Sequence, residues 1–274
     1  YTDLFPNLQM RYEINDNWQF RAAYTRSMGR PTFEAAGARQ VVEIEGGEAV
    51  AEVGNPGLKP FYVNNFDLEF SYFANDVLGA GSIGIFYKDI EDFFVTTNIA
   101  GQSPFEAFEE VEAVINGDDA ELYGLELSYV QEFTFLPGRW SGLLLTANYT
   151  LVESTAEVPF RDGDIRLPGQ ADNIFNVALG YDYEGLSLRL ALNHRGEYFD
   201  SIEEPDDPTQ DRYVSSETRL DFTSKYEFTD NVTGVFNVSN ITDEPFYAFL
   251  GDKRYANQYD QFGRTVELGV EVRF

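Results

Sequence analysis

Apolar and polar residues alternate with a period of two along most of this chain. The alternation is clearest at residues 264–274, where each apolar residue is followed by a polar residue or glycine. Successive side chains of a β-strand point to opposite faces, so this pattern predicts a strand with one apolar face, and about ten such residues match a tilted strand that crosses a bilayer. The apolar row is Val266, Leu268, Val270, Val272 and Phe274, and the other row is Thr265, Glu267, Gly269, Glu271 and Arg273.

The same alternation recurs upstream and predicts about eleven strands in all. Polar residues fill the gaps of every apolar row. The clearest rows are Trp18, Phe20, Ala22, Tyr24; Phe66, Leu68, Phe70, Tyr72; Leu125, Leu127, Tyr129; Leu143, Leu145, Ala147, Tyr149, Leu151; Phe175, Val177, Leu179, Tyr181, Tyr183; Leu186, Leu188, Leu190, Leu192; and Leu220, Phe222, Tyr226.

The connections between these segments alternate between short turns and long polar loops. Short links are expected at residues 15–17, 184–185 and 229–231, and the Glu184-Gly185 pair predicts a two-residue hairpin. Long loops are expected at roughly residues 31–61, 100–123, 154–167, 203–213 and 243–263. This asymmetry is typical of outer-membrane barrels, whose long loops face outside and whose short turns face the periplasm. A soluble barrel or sandwich is the alternative.

Aromatic residues favour the membrane interpretation over a soluble one. They make up 16% of the chain, and many lie at predicted strand ends, where a girdle at the membrane interface would place them. A large aromatic core is the alternative explanation. No run approaches the roughly 18 consecutive apolar residues of a helical span, and the mean hydropathy is -0.33. We therefore predict an all-β, antiparallel transmembrane β-barrel. The strand-end aromatic residues are Tyr183, Phe199, Tyr226, Phe228 and Phe274.

The predicted strand count suggests that the sequence is part of a longer protein. Bacterial single-chain barrels use even strand numbers, and an open sheet in lipid leaves its edge groups unsatisfied at several kcal/mol each. The sequence also starts in mid-pattern, without the features of a signal peptide. We therefore expect residues 1–274 to be one stretch of a barrel domain, to need an upstream half, and to transport nothing alone.

Seven short motifs follow one another along the chain. They are Arg21-Ala-Ala-Tyr-Thr-Arg-Ser27 with Gly29-Arg-Pro31, Gly54-Asn-Pro-Gly-Leu-Lys-Pro60, Phe86-Tyr-Lys-Asp-Ile-Glu-Asp-Phe93, Gly124-Leu-Glu-Leu127 with Phe135-Leu-Pro-Gly138, Ala147-Asn-Tyr-Thr150, Leu167-Pro-Gly169, and Asn237-Val-Ser-Asn-Ile-Thr-Asp-Glu-Pro-Phe-Tyr247. Their order resembles the barrel of TonB-dependent outer-membrane receptors, which also end on an aromatic residue. The Leu-Pro-Gly variant and Tyr259-Asp-Gln-Phe-Gly-Arg-Thr265 most resemble a subgroup common in Caulobacter- and Xanthomonas-like bacteria, many of whose members are linked to saccharides.

The resemblance implies a receptor of about 22 strands with an amino-terminal plug, and this chain would be the carboxy-terminal half of its barrel. It implies active uptake across the outer membrane of a Gram-negative bacterium: a ligand binds outside, and the energised partner TonB pulls on a segment near the plug. Neither plug nor TonB box is visible in this sequence. The implied partners are the lipid bilayer, lipopolysaccharide, TonB through the missing amino-terminal region, the barrel-assembly machinery and a small-molecule ligand. Phe274 would be the assembly signal.

Acidic residues crowd the predicted loops, and the formal net charge is -28. Solvation of surface loops explains this charge simply. Bridging of carboxylates to lipopolysaccharide by divalent cations is the alternative, although neither residues 116–119 nor 162–164 have full calcium-loop spacing. The charge argues against nucleic acid as a partner and repels anionic ligands within about 8 Å. The acids are Glu43, Glu45, Glu48, Glu52, Glu106, Glu109, Glu110, Glu112, Asp118, Asp119, Glu121, Glu203, Glu204, Asp206, Asp207 and Asp211.

Catalysis finds little support in the sequence. The only histidine, His194, lies on the apolar row of its strand, and alternation puts Asn193 and Arg195 on the opposite face, so it lacks an orienting partner. With one histidine and no cysteine, zinc and haem sites are not expected. We predict no enzymatic activity, no catalytic residue, no metal site and no cofactor. A passive porin-like channel is the main alternative function, followed by a structural or enzymatic barrel.

The predicted loops offer aromatic residues among short polar ones, a combination that suits carbohydrates. We therefore favour a saccharide as the ligand, with a ferric siderophore next, while plain packing of the aromatic residues is the alternative. Residues 245–259 form the main candidate segment. The candidate ligand contacts are Phe105, Phe108, Tyr198, Tyr247, Phe249, Lys253, Arg254, Tyr255, Asn257, Gln258 and Tyr259, and Phe199 is a further loop aromatic residue.

Overall fold

The computed structural model describes residues 3–45, 48–73, 77–161, 163–205 and 207–274. The loop acids Asp162 and Asp206 lie outside the described residues. One short helix, α1 (Phe33–Ala36), and two 3₁₀ segments (Gly138–Gly142 and Pro208–Gln210) accompany the strands. The strands are β1 (Asn7–Glu13), β2 (Trp18–Gly29), β3 (Gln40–Glu45), β4 (Glu48–Val53), β5 (Phe61–Tyr72), β6 (Ala80–Glu91), β7 (Phe94–Asn98), β8 (Glu110–Asn116), β9 (Asp119–Glu132), β10 (Leu143–Ala156), β11 (Asn173–Tyr183), β12 (Leu186–Arg195), β13 (Tyr198–Ser201), β14 (Arg212–Val214), β15 (Glu217–Thr229), β16 (Val232–Ser239), β17 (Phe246–Leu250), β18 (Ala256–Asp260) and β19 (Thr265–Val272).

Eleven of these strands form one antiparallel sheet in the order β1-β2-β5-β6-β9-β10-β11-β12-β15-β16-β19. Each strand of the sheet pairs with the sheet strands before and after it along the chain, which is an up-and-down meander. The prediction of about eleven antiparallel strands is therefore confirmed. None of the helices in the described ranges has the length and apolarity needed to cross a bilayer.

Short and long connections alternate along the meander, as predicted. The short ones span residues 14–17, 73–79, 133–142, 184–185 and 230–231, at one end of the sheet. The long ones, at the other end, are here named L1 (30–60), L2 (92–118), L3 (157–172), L4 (196–216) and L5 (240–264). Glu184 and Gly185 both have positive φ, at 47° and 79°, as the predicted two-residue hairpin requires.

The long loops, predicted only as polar connections, contain strands of their own. L1 and L2 contribute a four-stranded sheet of order β3-β4-β8-β7, and L4 and L5 contribute another of order β13-β14-β17-β18. Two expected loops are also shorter than predicted. Strand β9 begins at Asp119, within the expected loop 100–123, and β10 continues to Ala156, within the expected loop 154–167. The loop strands are short. Each pairs with a neighbour in its own loop, and the pairings β4–β8 and β14–β17 join different loops into one sheet, which local alternation does not reveal.

Strand register keeps apolar residues on one face of the main sheet and polar residues on the other. One cross-strand row consists of Leu145, Leu179, Leu190, Phe222, Val238 and Val266. The neighbouring row on the opposite face consists of Gly180, Arg189, Thr223, Asn237 and Glu267. Side chains on the polar face bond across strands, as Asn176 does when it donates to Asn148 at 2.8 Å. The predicted grouping of side chains by face is confirmed.

Aromatic residues gather near the short-turn end of the sheet, as expected for most of them. Tyr226 and Phe228 meet edge to face at 5.0 Å, and Trp18 contacts Tyr72 at 4.5 Å. Phe199 differs, because it lies in β13 of a loop sheet and is only 2% exposed. Its expected position at the end of a barrel strand is therefore wrong.

His194 occupies the apolar row at the loop end of β12. Its ring stacks on Phe175 at 4.6 Å, and its Nδ1 lies 2.8 Å from Oγ1 of Thr218. These contacts fit the prediction of a barrel residue rather than a catalytic base, because the imidazole packs between residues of neighbouring strands.

Candidate ligand-binding site

The long loops share a hydrophobic core above the loop end of the main sheet. Its buried members come from L2, L3 and L4 and from the ends of β9 and β10. A parallel bridge between Thr97 and Ile202 joins L2 directly to L4. The loops therefore pack on one another instead of extending separately into solvent. The buried members are Phe93, Val95, Ala120, Ala156, Val158, Phe199 and Ile202.

A row of aromatic rings joins L4 to L5. Tyr213 meets Phe199 edge to face and stacks on Phe249, with ring centroids 5.6 Å apart in both pairs. Phe249 is only 3% exposed. Phe249 therefore packs within this row, and its predicted contact with a ligand stays a prediction.

Arg161 of L3 forms a buried ion pair with Asp211 of L4. The two guanidinium Nη atoms lie 2.7 and 2.9 Å from the carboxylate oxygens, and the side chains are 6% and 5% exposed. Arg161 also donates to the backbone carbonyls of Glu204 at 3.0 Å and Pro205 at 3.2 Å. Burial raises the pKa of Asp211, while the guanidinium opposes that rise. No pattern in the sequence indicates this pair, because 50 residues separate its members.

Arg212 of β14 ties L4 to the last strand of L5. Its Nε donates to the side-chain oxygen of Asn257 and its Nη2 to that of Gln258, both at 2.8 Å. Its Nη1 pairs with Asp200 on β13. The amide oxygens of two predicted ligand contacts are thus occupied by an arginine of the protein, which no spacing in the sequence indicates.

The other predicted contacts of L5 lie on the β17–β18 hairpin. Tyr247 pairs with Tyr259 across the two strands, and its hydroxyl donates to the backbone carbonyl of Lys253 at 2.5 Å. The Lys253 ammonium lies 2.8 Å from Glu197 of L4, which holds the hairpin against the neighbouring loop. Arg254 pairs with the nearby Asp252. The hairpin therefore brings together most predicted contacts, with Tyr255 and Tyr259 exposed.

Phe105, Phe108 and Tyr198 lie outside that hairpin. Phe105 and Phe108 belong to L2 and pack on each other edge to face at 6.0 Å. Tyr198 lies on β13, with the guanidinium of Arg195 4.8 Å above its ring, and burial raises the pKa of its phenol. The predicted contacts therefore divide between the two loop sheets. The assembly role of Phe274, a fully exposed residue beyond β19, stays a prediction.

Two clefts lie on either side of the segment Pro208–Gln210. The polar cleft has a volume of about 550 Å³ and is lined by L3 and L4, including Arg166, Asp172, Tyr198 and Tyr213. The second cleft has a volume of about 680 Å³ and is lined by L4 and L5, including Tyr255. Pro208 borders both. Tyr198 and Tyr255 are thus the predicted contacts that border a cleft.

The loop acids do not form a metal site in the described residues, where no cluster of three or more potential ligands is arranged around one point. Asn116, part of the segment considered for calcium, instead donates to the backbone carbonyls of Lys59 and Asp92 at 3.0 and 2.7 Å. It thereby joins L1 to L2. Bridging of exposed carboxylates to lipopolysaccharide stays a prediction.

Gly251 makes the close contact between L4 and L5 possible. Its φ of 59° lies in the left-handed region, its N–H donates to the backbone carbonyl of Asp211 at 2.8 Å, and a Cβ here would clash with the backbone oxygen of Thr209. A left-handed residue other than glycine costs about 1–2 kcal/mol. We expect Gly251→Ala to speed hydrogen exchange in residues 208–211 and 250–255, whereas Gly138→Ala, whose φ is 58° in an open position, should change only its own turn. Unchanged exchange in L4 and L5 would contradict this role.

A family model described as TonB dependent receptor-like, beta-barrel matches residues 1–241. The chain belongs to this family. The predicted family and the all-β fold are therefore confirmed, whereas the Caulobacter- and Xanthomonas-like subgroup stays a prediction. No curated protein matches the chain.

Solved structures share the fold of this receptor barrel. A mutant of the ferric enterobactin receptor PfeA from Pseudomonas aeruginosa is 16% identical, with a TM-score of 0.67 over 98% of this chain and 40% of that chain. The siderophore receptor PirA from Acinetobacter baumannii is 16% identical, with a TM-score of 0.69 over 98% and 41%. The FrpB iron transporter from Neisseria meningitidis is 16% identical, with a TM-score of 0.65 over 99% and 39%. This chain thus spans about two fifths of each.

Proposed function

We propose that residues 1–274 form the carboxy-terminal half of the barrel of an outer-membrane receptor that imports a scarce nutrient with energy from TonB. The supporting observation is a TonB-dependent receptor sheet whose long loops join at one end around clefts of ligand size. Ligand pockets typically measure about 300–1,000 Å³. In this proposal the apolar rows contact lipid, the polar rows face the lumen or plug, and the loops face outside, near lipopolysaccharide.

The joined loops favour a receptor over a passive porin-like channel. Ionic or hydrogen bonds to another loop are made by Arg161, Arg212 and Lys253. These bonds hold L3, L4 and L5 in one arrangement. A passive pore needs an open path and no preformed cleft. Binding before transport, in contrast, benefits from a site that is ordered in advance.

For the ligand we favour a saccharide, because tyrosines and carboxylates border the polar cleft together. Tyrosines offer apolar ring faces and hydroxyl groups, and carboxylates accept hydrogen bonds from sugar hydroxyls. A ferric siderophore is the second candidate, since solved structures with this fold include receptors for ferric enterobactin and other siderophores. Their 16% identity supports the fold and leaves the ligand open.

Uptake by the native bacterium tests the proposal. Deleting the full-length receptor gene should abolish uptake of at least one labelled neutral oligosaccharide and leave iron uptake from ferric enterobactin intact. Deleting tonB should abolish the same sugar uptake. Sugar uptake that persists without TonB would support the passive channel. Loss of iron uptake alone would replace the saccharide with a siderophore.

A further inference from the structure

We infer that the polar cleft between L3 and L4 is a binding site for a neutral, hydroxyl-rich ligand, such as a segment of an oligosaccharide, and that it disfavours anions. This inference rests on the proposed function, because it names the site and the charge of the imported ligand. The supporting observation is that both arginines of the cleft already form ion pairs with carboxylates of its lining.

A buried ion pair in the lining of the cleft joins its two walls, L3 and L4. Arg161 bonds through Nη1 and Nη2 to Asp211, and its Nε and Nη2 reach the carbonyls of Pro205 and Glu204. Four of its five N–H donors are therefore committed to L4. Because the side chain is buried, it shapes the cleft but offers no free positive charge to a ligand.

The second arginine of the cleft is neutralised as well. Arg166 pairs with Asp172, and hydrogen bonding to that carboxylate raises the pKa of the guanidinium. The lining holds two arginines, Arg161 and Arg166, and four acids, Asp164, Asp172, Glu197 and Asp211, so its formal charge is 2 − 4 = −2. The Lys253 ammonium, 2.8 Å from Glu197, compensates one of these acids from outside the lining and leaves a charge of −1. An anionic ligand would meet this negative lining, in which each arginine is already paired with a carboxylate. A neutral ligand avoids the repulsion.

Two phenols supply the hydrogen bonds that a hydroxyl-rich ligand needs. Tyr198 and Tyr213 both line the cleft, and among the described residues neither hydroxyl has a hydrogen-bond partner. A phenol both donates and accepts, as a sugar hydroxyl does. The Arg166–Asp172 pair is part-exposed and adds a charged donor and acceptor side by side. Ile165 and Pro208 add apolar surface for the C–H faces of a sugar ring.

Calorimetry on the purified full-length receptor tests the inference, with maltotetraose, cellotetraose and xylotetraose as neutral probes and ferric enterobactin as an anionic probe. We expect wild-type receptor to bind at least one tetrasaccharide. Tyr198→Phe and Tyr213→Phe should each weaken that binding about 5- to 10-fold, because each removes one hydrogen bond. Asp172→Asn should weaken sugar binding and strengthen binding of the anionic probe, since it uncovers the charge of Arg166.

Matched variants at the opposite end of the sheet provide controls. Tyr181 lies beside the short 184–185 turn, and Asp230 lies within another short turn. Receptors with Tyr181→Phe or Asp230→Asn should therefore bind the tetrasaccharide as the wild-type receptor does. A wild-type receptor that binds none of the neutral probes would overturn the inference. So would binding that survives both tyrosine variants, but TonB-dependent sugar uptake would then still support the proposed function. If the cleft variants weaken sugar binding but the bacterium shows no TonB-dependent sugar uptake, the binding site would be supported and the proposed transport function would be overturned.

Discussion

Replacing Arg161 with methionine is expected to separate L3 from L4. Methionine leaves the Asp211 carboxylate buried without a partner, and breaking a buried ion pair from one side costs about 3–5 kcal/mol. Hydrogen exchange of the full-length receptor should therefore speed up in residues 157–172 and 196–216, while strands β10 and β15 remain protected. Binding in the polar cleft should weaken with it, because both walls belong to these loops.

Two further variants separate the ion pair from a general loss of folding. Arg254→Met removes an exposed pair with Asp252, which solvent screens, and should change exchange only in its own turn. Arg161→Met combined with Asp211→Leu should recover much of the lost protection, since apolar partners often replace a buried pair at little cost. If hydrogen exchange of L3 and L4 is unaltered in Arg161→Met, the Arg161–Asp211 ion pair does not hold these loops together.

The main sheet could be predicted from the sequence because its information is local. Each strand pairs with the next sheet strand along the chain, so alternation and turn residues such as Glu184-Gly185 suffice to predict it. The faces follow from the same pattern: Leu190 opposes Leu179 and Phe222 as their common row requires. No long-range information was needed for these features.

The loop sheets could not be predicted in the same way, because the central pairing of each sheet joins hairpins from distant segments. Strand β4 of L1 pairs in parallel with β8 of L2, and β14 of L4 pairs with β17 of L5. Strands of three to seven residues carry too few alternations to identify them. One signal was available: the apolar run Phe246-Tyr-Ala-Phe-Leu250 fits a strand buried on both faces, as the buried Ala248 and Phe249 confirm.

The candidate site depends even more on pairing between loops. Aromatic content suggested Tyr198 and the β17–β18 hairpin, and Tyr198 does line the polar cleft. It could not identify Arg161 or Asp211, since neither belongs to a motif and their contact exists only once L3 and L4 pack together. Composition therefore indicates which chemistry the loops contain, whereas the pairing of loops decides which side chains stay free.

Leu190→Arg is expected to destabilise the receptor in lipid by about 2–4 kcal/mol. Leu190 lies midway along β12, in the apolar row between Leu179 and Phe222, so the new charge would enter the hydrocarbon near the midplane. Arg189→Leu alters the adjacent residue on the polar face. It removes a part-exposed ion pair with Asp182 and a hydrogen bond to the backbone carbonyl of Leu188, so its cost should be smaller, about 1 kcal/mol.

Folding of the full-length receptor into lipid vesicles, followed by denaturant titration, measures both costs. Leu190→Ala serves as the volume control, because it removes the same side chain without adding charge. The difference between the arginine and alanine variants then isolates the transfer of charge into lipid. A soluble protein with the opposite register should reverse the order of Leu190→Arg and Arg189→Leu. Equal tolerance of both variants would mean that the apolar row does not face hydrocarbon, and the membrane orientation of the entire sheet would be wrong.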